Sequence, residues 1–393
     1  MGSPSVAALA SLALMLGSPS VAALASLAGA ASPNGTLLWR SAVGCHRWGP
    51  GCWIPNFSGT DASPAVSSRG ATVVVGSYDG TVYALDGADG SVRWNASVDM
   101  GVGEGTPALV GRGCYVVCGL FDVRCLDGES GAATWTFAPG GQIGACGGYD
   151  GARVFVGTLR KELVAIDAAD GAELWRYEGQ GEVWATHGPR VVGDLVCAGF
   201  GGAAYVKANC TATVDCVNRS TGALAWRAPA GLQVQSTPAV GASQLYVGSY
   251  DNCLYAYALA GGAFRWRTCT AGRLEASALV VERHGAEVVV VGSGDGHVYA
   301  FSAAGDVLWR TRLGTAVSLL RQGGVGSSAA LRGDTLYVGG PDAFFALDAD
   351  SGAERWRHTT GAMVGSSPAV FGTRVYVGCE DGYLYAFDVE DDP

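Results

Sequence analysis

Residues 366–388 read SSPAVFGTRVYVGCEDGYLYAFD. Three short strands are legible in this stretch: a small-residue strand around Ser367–Val370, the alternating Val375–Gly378, and Leu384–Phe387. Asp381-Gly382 marks a tight hairpin between the last two, because glycine enters positive φ at no steric cost. Upstream the same pattern recurs, and there it runs on into a fourth strand that carries a tryptophan. Here the chain stops at Pro393 before a tryptophan arrives. One tryptophan near the other end, Trp39 in Thr36–Arg40, has no blade of its own. The economical solution is a ring in which the N-terminal strand completes the last sheet.

The count of repeats supports closure. Trp94, Trp135, Trp175, Trp226, Trp266, Trp309 and Trp356 follow one another at spacings of 41, 40, 51, 40, 43 and 47 residues, and Trp39 makes eight. The alternating strand also occurs eight times, ending at Gly76, Gly119, Gly157, Gly199, Gly248, Gly292, Gly339 and Gly378. A period of about 40–45 residues with four strands is that of a propeller blade. The expected fold is all-β, a single eight-bladed β-propeller of four-stranded antiparallel blades spanning 34–393. One blade cannot bury both faces alone, so the repeat overrides the two or three domains that 393 residues would otherwise suggest.

The net charge of −10, with no cluster of Lys or Arg, disfavours nucleic acid and anionic membranes as partners. Residues 1–33 hold no ionisable side chain and contain GSPSVAALASLA twice, at 2–13 and 17–28. The apolar run between Pro4 and Pro19 is too short for a transmembrane helix. With Ala28-Gly29-Ala30 as an A-x-A cleavage site, the segment reads as a secretory signal; the alternative is an Ala-rich tail. Five of six asparagines open an Asn-x-Ser/Thr sequon, namely Asn34, Asn56, Asn95, Asn209 and Asn218, which fits a glycosylating eukaryotic lumen. Twelve cysteines fit the same compartment. The expected bridges are Cys45–Cys52, Cys118–Cys125, Cys210–Cys216 and Cys253–Cys269, with Cys114, Cys146, Cys197 and Cys379 as buried thiols. No Cys/His spacing suggests a metal site.

Serine, threonine, alanine and proline dominate the innermost strands, as in Ser63–Val66, Thr106–Leu109 and Thr237–Val240, because eight strands crowd the axis. The repeated tryptophans are expected between blades, filling the wedge that widens outward. Two insertions break the pattern: Ala42–Thr60, with His46, Trp48 and Trp53, and Phe200–Cys216 in the fourth blade. The loops entering the innermost strands carry Asp61, Glu104, Gln142, Glu182, Gln235 and Glu275, together with Trp184, His187, Arg273 and Arg321. These ten are the candidate ligand-binding residues at the channel mouth. The catalytic residues are not assignable, since no Gly-x-Ser-x-Gly, P-loop or paired-carboxylate motif is present.

The blade signature runs small-Pro, VYVG, DG, YALD, then Asp-x-x-x-Gly before x-x-Trp, cleanest at Asp86–Trp94, Asp127–Trp135, Asp167–Trp175 and Asp348–Trp356. It resembles the pyrroloquinoline quinone (PQQ) repeat over essentially all of 34–393. Quinoprotein alcohol dehydrogenases, the BamB-type propeller and the C-terminal propeller of the β-alanine-activating enzyme share it. The resemblance implies the propeller fold but not one activity. Quinoprotein dehydrogenases carry a vicinal disulfide and a Glu–Asn calcium set; this chain has no Cys-Cys pair, and only Asn252 lies outside the sequons. The reading is therefore a secreted or lumenal binding or scaffold module, monomeric, with a protein or small ligand at the channel face and no cofactor. The alternatives are a PQQ- and calcium-dependent oxidoreductase of alcohols or sugars, and a glycan- or polymer-binding module drawing on Trp48, Trp53 and Trp184.

Overall fold

The structure, a computed structural model, describes residues 35–44, 60–98, 106–110, 113–180, 188–201, 212–313 and 324–389, with backbone alone at 145 and 146. All belong to the compact unit Asn34–Pro393. The described residues form eight four-stranded antiparallel sheets and no helix, hence none long and apolar enough to cross a membrane. In chain order the blades span 65–97 (blade 1), 108–137, 143–178, 190–230, 239–269, 279–312, 330–359, and 369–388 with Thr36–Ala42 as the outer strand of blade 8.

Closure occurs as the sequence implies. Thr36–Ala42 pairs antiparallel with Tyr383–Asp388, Thr36 opposite Asp388 and Ala42 opposite Tyr383. The Trp39 ring lies 5.9 Å from that of Tyr376, within the last sheet it completes. The middle strands of each blade are buried on both faces because blades cover one another, as along Thr72–Gly76 and Thr335–Gly339. The outer strands alternate, exposed at Glu173 and Leu174 and half-buried at Trp175.

In every blade the pairing of the third and outer strands slips by one residue just before the tryptophan. The extra residue, Arg93 in blade 1, makes a β-bulge that re-aims the indole toward the next blade. There it lands on the glycine of the Asp-x-x-x-Gly turn. A Cβ on Gly90 (φ +73) would stand 2.5 Å from the Trp39 ring, and one on Gly131 (φ +72) 2.6 Å from that of Trp94. Only glycine meets both the backbone angle and the close approach. The motif that recurs in sequence is thus the socket of the preceding blade's tryptophan. Several indoles also donate across the seam, Trp94 to the Gly128 carbonyl at 2.9 Å and Trp266 to that of Ala303 at 2.8 Å.

The disulfides differ from expectation in two places. Cys253–Cys269 forms as expected, between residues directly opposite one another, with Cα atoms 3.9 Å apart. Cys125, however, bonds Cys114 and not Cys118. Cys125 sits opposite Val116, diagonal to both Cys114 and Cys118, so hairpin symmetry alone does not choose; Cys118 is disulfide-bonded elsewhere. Cys216 bonds Cys197 and not Cys210, because the two face each other across the second and third strands of blade 4, Cα atoms 4.1 Å apart. Cys114 and Cys197 are therefore bridged, whereas Cys379 is a buried free thiol. Cys45, Cys52, Cys210 and the side chain of Cys146 lie outside the described residues, as does 1–33.

Candidate functional site

The inner strands converge on an axial cavity of about 540 Å³ lined by residues of all eight blades. Its wall has two halves. Along blades 5, 6, 7, 8 and 1 it is a chain of hydroxyls. The Thr237 N–H donates to Ser277 Oγ at 2.9 Å, Ser277 N–H to Ser328 Oγ at 2.9 Å, Ser328 N–H to Ser367 Oγ at 3.0 Å, and Ser367 N–H to Ser63 Oγ at 3.0 Å. In blades 5, 7 and 8 the preceding serine staples the inner strand to its own blade: Ser236, Ser327 and Ser366 accept from the N–H groups of Gly248, Gly339 and Gly378 at 2.8, 3.0 and 3.1 Å. The pairs Ser236-Thr237, Ser327-Ser328 and Ser366-Ser367 thus serve two seams at once, within a blade and between blades.

Across the cavity, blades 3 and 4 contribute Gly147, Gly148, Tyr149, Pro189, Arg190 and Val191. In register with the other blades, Gly188 (φ +97) stands where the hydroxyl would be, so the chain of bonds is open here. The Tyr149 hydroxyl donates to the Gly151 carbonyl at 2.8 Å. Arg190 is exposed and projects from the start of its strand.

Of the expected mouth residues, Asp61, Gln235 and Glu275 precede the lining residues Ser63, Thr237 and Ser277 by two positions. Asp61 is half-buried and accepts from the Tyr78 hydroxyl at 3.1 Å. Gln235 is buried and accepts from the Tyr250 hydroxyl, whose ring also carries the Arg273 guanidinium 4.8 Å from its centre. Glu275 is half-buried beside them in sequence, and Gln142 is exposed, its carbonyl accepting from Leu159 N–H at 2.8 Å. Glu104, Glu182, Trp184, His187 and Arg321, like His46, Trp48 and Trp53, lie outside the described residues. The structure therefore brings Gln235 and Arg273 to one tyrosine and holds Asp61 apart on blade 1.

Tyr78 and Tyr250 escaped the sequence reading, although each precedes the hairpin aspartate in a Gly-Ser-Tyr-Asp stretch. The hydroxyl chain escaped too, being read as small packing residues. Its signal was the recurrence of Ser or Thr, rather than Ala or Gly, at one blade position.

The hairpin aspartates are held by phenols: Tyr83 donates to Asp79 at 2.9 Å, Tyr299 to Asp295 at 2.7 Å and Tyr385 to Asp381 at 2.6 Å. Burial works to raise the Asp295 carboxyl, but hydrogen bonds from Tyr299 and from the N–H groups of Ala271 and His297 outweigh it and hold the group below the usual carboxylate range. Burial, then the Asp295 charge, pushes the Tyr299 phenol up to about 12, and burial with Asp79 pushes Tyr83 to about 12. These phenols stay protonated at neutral pH and act as fixed donors, not as bases.

The family model described as outer membrane protein assembly factor BamB matches residues 24–119, 121–211, 210–321 and 294–392. The quinohemoprotein alcohol dehydrogenase of Comamonas testosteroni is 31% identical over 165 residues, which cover 37% of this chain and 22% of that protein. The dehydrogenase subunit of the quinone alcohol dehydrogenase of Gluconobacter oxydans is 28% identical over 157 residues, covering 35% and 20%. The matched stretches thus span about a fifth of these relatives' length. Among solved structures, BamB from Moraxella catarrhalis superposes with a TM-score of 0.68 at 20% identity, over 90% of this chain and 99% of that one. The computationally designed Ika8 protein gives 0.65 at 15%, over 89% and 100%. Both structures speak to fold alone. With four matched segments running nearly the whole chain over a closed ring of eight blades, the chain belongs to the PQQ-like repeat propeller family of the BamB-type model.

Proposed function

We propose that the chain is a binding or scaffold propeller of the secretory lumen or the extracellular space, monomeric, presenting its channel face to a protein or small ligand without transforming it. The observation that carries this reading is how the mouth side chains are used. Asp61 and Gln235 each accept from a tyrosine, and Arg273 stacks on buried Tyr250, giving a pre-set arrangement of a half-buried phenol at Tyr78 and a held cation rather than a nucleophile beside a base. Rigid polar and aromatic groups on short loops of a stiff ring suit recognition.

The compartment is supported by three disulfides among the described residues and by the sequons. Asn95 is exposed on the outer strand of blade 1 and is open to glycosylation. Asn218 has a second use: its Oδ1 accepts from the N–H groups of Ser220 and Thr221 at 3.0 and 3.1 Å, replacing the turn aspartate of other blades. Asn34, Asn56 and Asn209 lie outside the described residues. The test is expression of the full chain in a secreting eukaryotic cell. Secreted protein that shifts on glycosidase treatment is expected, with a bound partner lost in Tyr78→Ala or Tyr250→Ala. Retention in the cytosol, or capture unchanged by both variants, overturns the reading.

A second reading, a PQQ- and calcium-dependent oxidoreductase, is favoured by the names of the curated relatives. The described residues do not fit the ion. Calcium takes six to eight oxygens, largely from converging carboxylates, whereas Asp61 and Glu275 belong to blades 1 and 6. No group of three or more His, Cys, Asp or Glu among the described residues is arranged to hold a metal. Dye reduction with primary alcohols after reconstitution with PQQ and calcium would establish this reading over the first.

A further inference from the structure

The hydroxyl chain around the axis leaves a chemical remainder. Ser277, Ser328, Ser367 and Ser63 each spend a lone pair accepting a backbone N–H from the preceding blade. None of their O–H groups has an acceptor among the described residues, and all four line the cavity. A hydroxyl whose oxygen is engaged from behind presents its hydrogen elsewhere. The lip therefore has four hydroxyl hydrogens to donate to a ligand.

Facing it, Arg190 lines the same cavity with no carboxylate or carbonyl partner among the described residues. This differs from the ordinary use of arginine in this chain, where Arg93, Arg176, Arg227, Arg283 and Arg355 each bond a carboxylate. The described part of the lining contains no Asp or Glu, although the chain as a whole carries −10. A guanidinium offers a planar fork of donors matched to carboxylate and phosphate oxygens. The cavity, about 540 Å³, is of small-molecule size.

We propose that the axial cavity binds a compact oxyanion, a carboxylate or a phosphate, whose charge is met by Arg190 and whose further oxygens accept from the serine hydroxyls of blades 6, 7, 8 and 1. This rests on the reading of the chain as a binding propeller and adds the class of small ligand. The Arg190 charge and a described lining without carboxylates select against cations, and a neutral polyol meets only the hydroxyl half of the site.

The test is calorimetric titration of the full chain at low ionic strength with inorganic phosphate, with gluconate and with glucose as the uncharged counterpart. Saturable one-to-one binding of phosphate or gluconate, and its absence with glucose, is expected; which of the two binds distinguishes a phosphate from a carboxylate site. Arg190→Gln should weaken the binding anion about tenfold to a hundredfold, the range for hydrogen bonds to a charged group, while Arg190→Lys restores part of it. Ser328→Ala should weaken it by a smaller factor. Equal binding of glucose and gluconate, an Arg190→Gln protein that binds as wild type, or no saturable heat with either anion overturns the proposal. Unchanged circular dichroism of the Arg190 variants excludes misfolding as the cause. Anion binding with no partner captured at the mouth would leave this inference standing and the partner-binding role fallen; the reverse result would separate them the other way.

Discussion

From Thr237 round to Ser63, neighbouring blades are tied at the axis by backbone N–H groups donating to the next blade's hydroxyl. From blade 2 to blade 4 no such bond joins the described residues, and other links take its place. Cys114–Cys125 and Cys197–Cys216 brace blades 2 and 4 internally. Between blades 3 and 4 lies a buried charge: Asp215, 0% exposed, receives Arg227 in a two-pronged ion pair at 2.9 and 2.7 Å and the Tyr177 hydroxyl at 2.6 Å. The regular arc gains its rigidity from repetition of one cheap bond, and the irregular arc from a few strong, individual ones. The contrast has a functional side. Where the hydroxyl chain is interrupted, the wall is free to diverge, and there Tyr149 and Arg190 enter the cavity.

The largest effect that would break this contrast is at Asp215. Asp215→Ala strands Arg227 and Tyr177 at the seam, and loss of one partner of a buried pair costs about 3 kcal/mol, at the low end because the Arg227 side chain is 27% exposed. Urea denaturation should show that loss, against a change within about 0.5 kcal/mol for Asp194→Ala, whose side chain is 89% exposed. Equal midpoints for the two variants would mean that the seam between blades 3 and 4 is held by apolar packing alone.

Next is the belt itself. Ser328→Ala removes the acceptor of the Ser277 N–H, a loss of about 1 kcal/mol, and hydrogen exchange should quicken at the Ser277 amide. Thr106→Ala, at the same blade position but outside the bonded arc, should change stability by less than half as much. If both cost the same, the arc is no different from the rest of the ring.

What the sequence made legible were features carried by a local pattern. A tryptophan and a glycine turn recur in blade after blade, and each tryptophan plugs the turn of the following blade, so the count of eight and the closure by Trp39 were legible. What stayed hidden depended on neighbours in space. The partners of Asp61 and Gln235 come from hairpins 15 or more residues away, Tyr78 and Tyr250. The bridge of Cys216 was obscured by nearness in sequence: Cys210 is six residues away, yet the cross-strand register selects Cys197. Cys125 had two diagonal candidates, and Cys118 is engaged in another bridge, which local sequence does not display.

The smallest effect concerns acid stability in the regular arc. Asp348 opens the turn of blade 7 that seats Trp309, and it caps that turn by accepting from Ser351 N–H at 2.9 Å and Ser351 Oγ at 2.7 Å while pairing with Arg355 at 2.8 Å. Burial works to raise its carboxyl, but Arg355 and Ser351 outweigh that and bring it down to about 2. A carboxyl held below its unfolded value near 3.9 adds stability that is complete above that value and drains as pH falls toward the folded one. The window is therefore pH 4 to 2. Because the side chain is 27% exposed, solvent screening cuts the contribution to about 1 kcal/mol or less. Asp348→Asn should lose less stability between pH 4 and 2 than wild type does, read as the difference in urea midpoints at the two pH values. Asp350, held low by Arg283 and His284, titrates in the same blade, so the comparison is made in an Asp350→Asn background. Parallel acid profiles with and without the Asp348 carboxylate would show that the turn is set by Gly352 and the Trp309 ring pressed on it, leaving the aspartate as a solvated ornament of the motif.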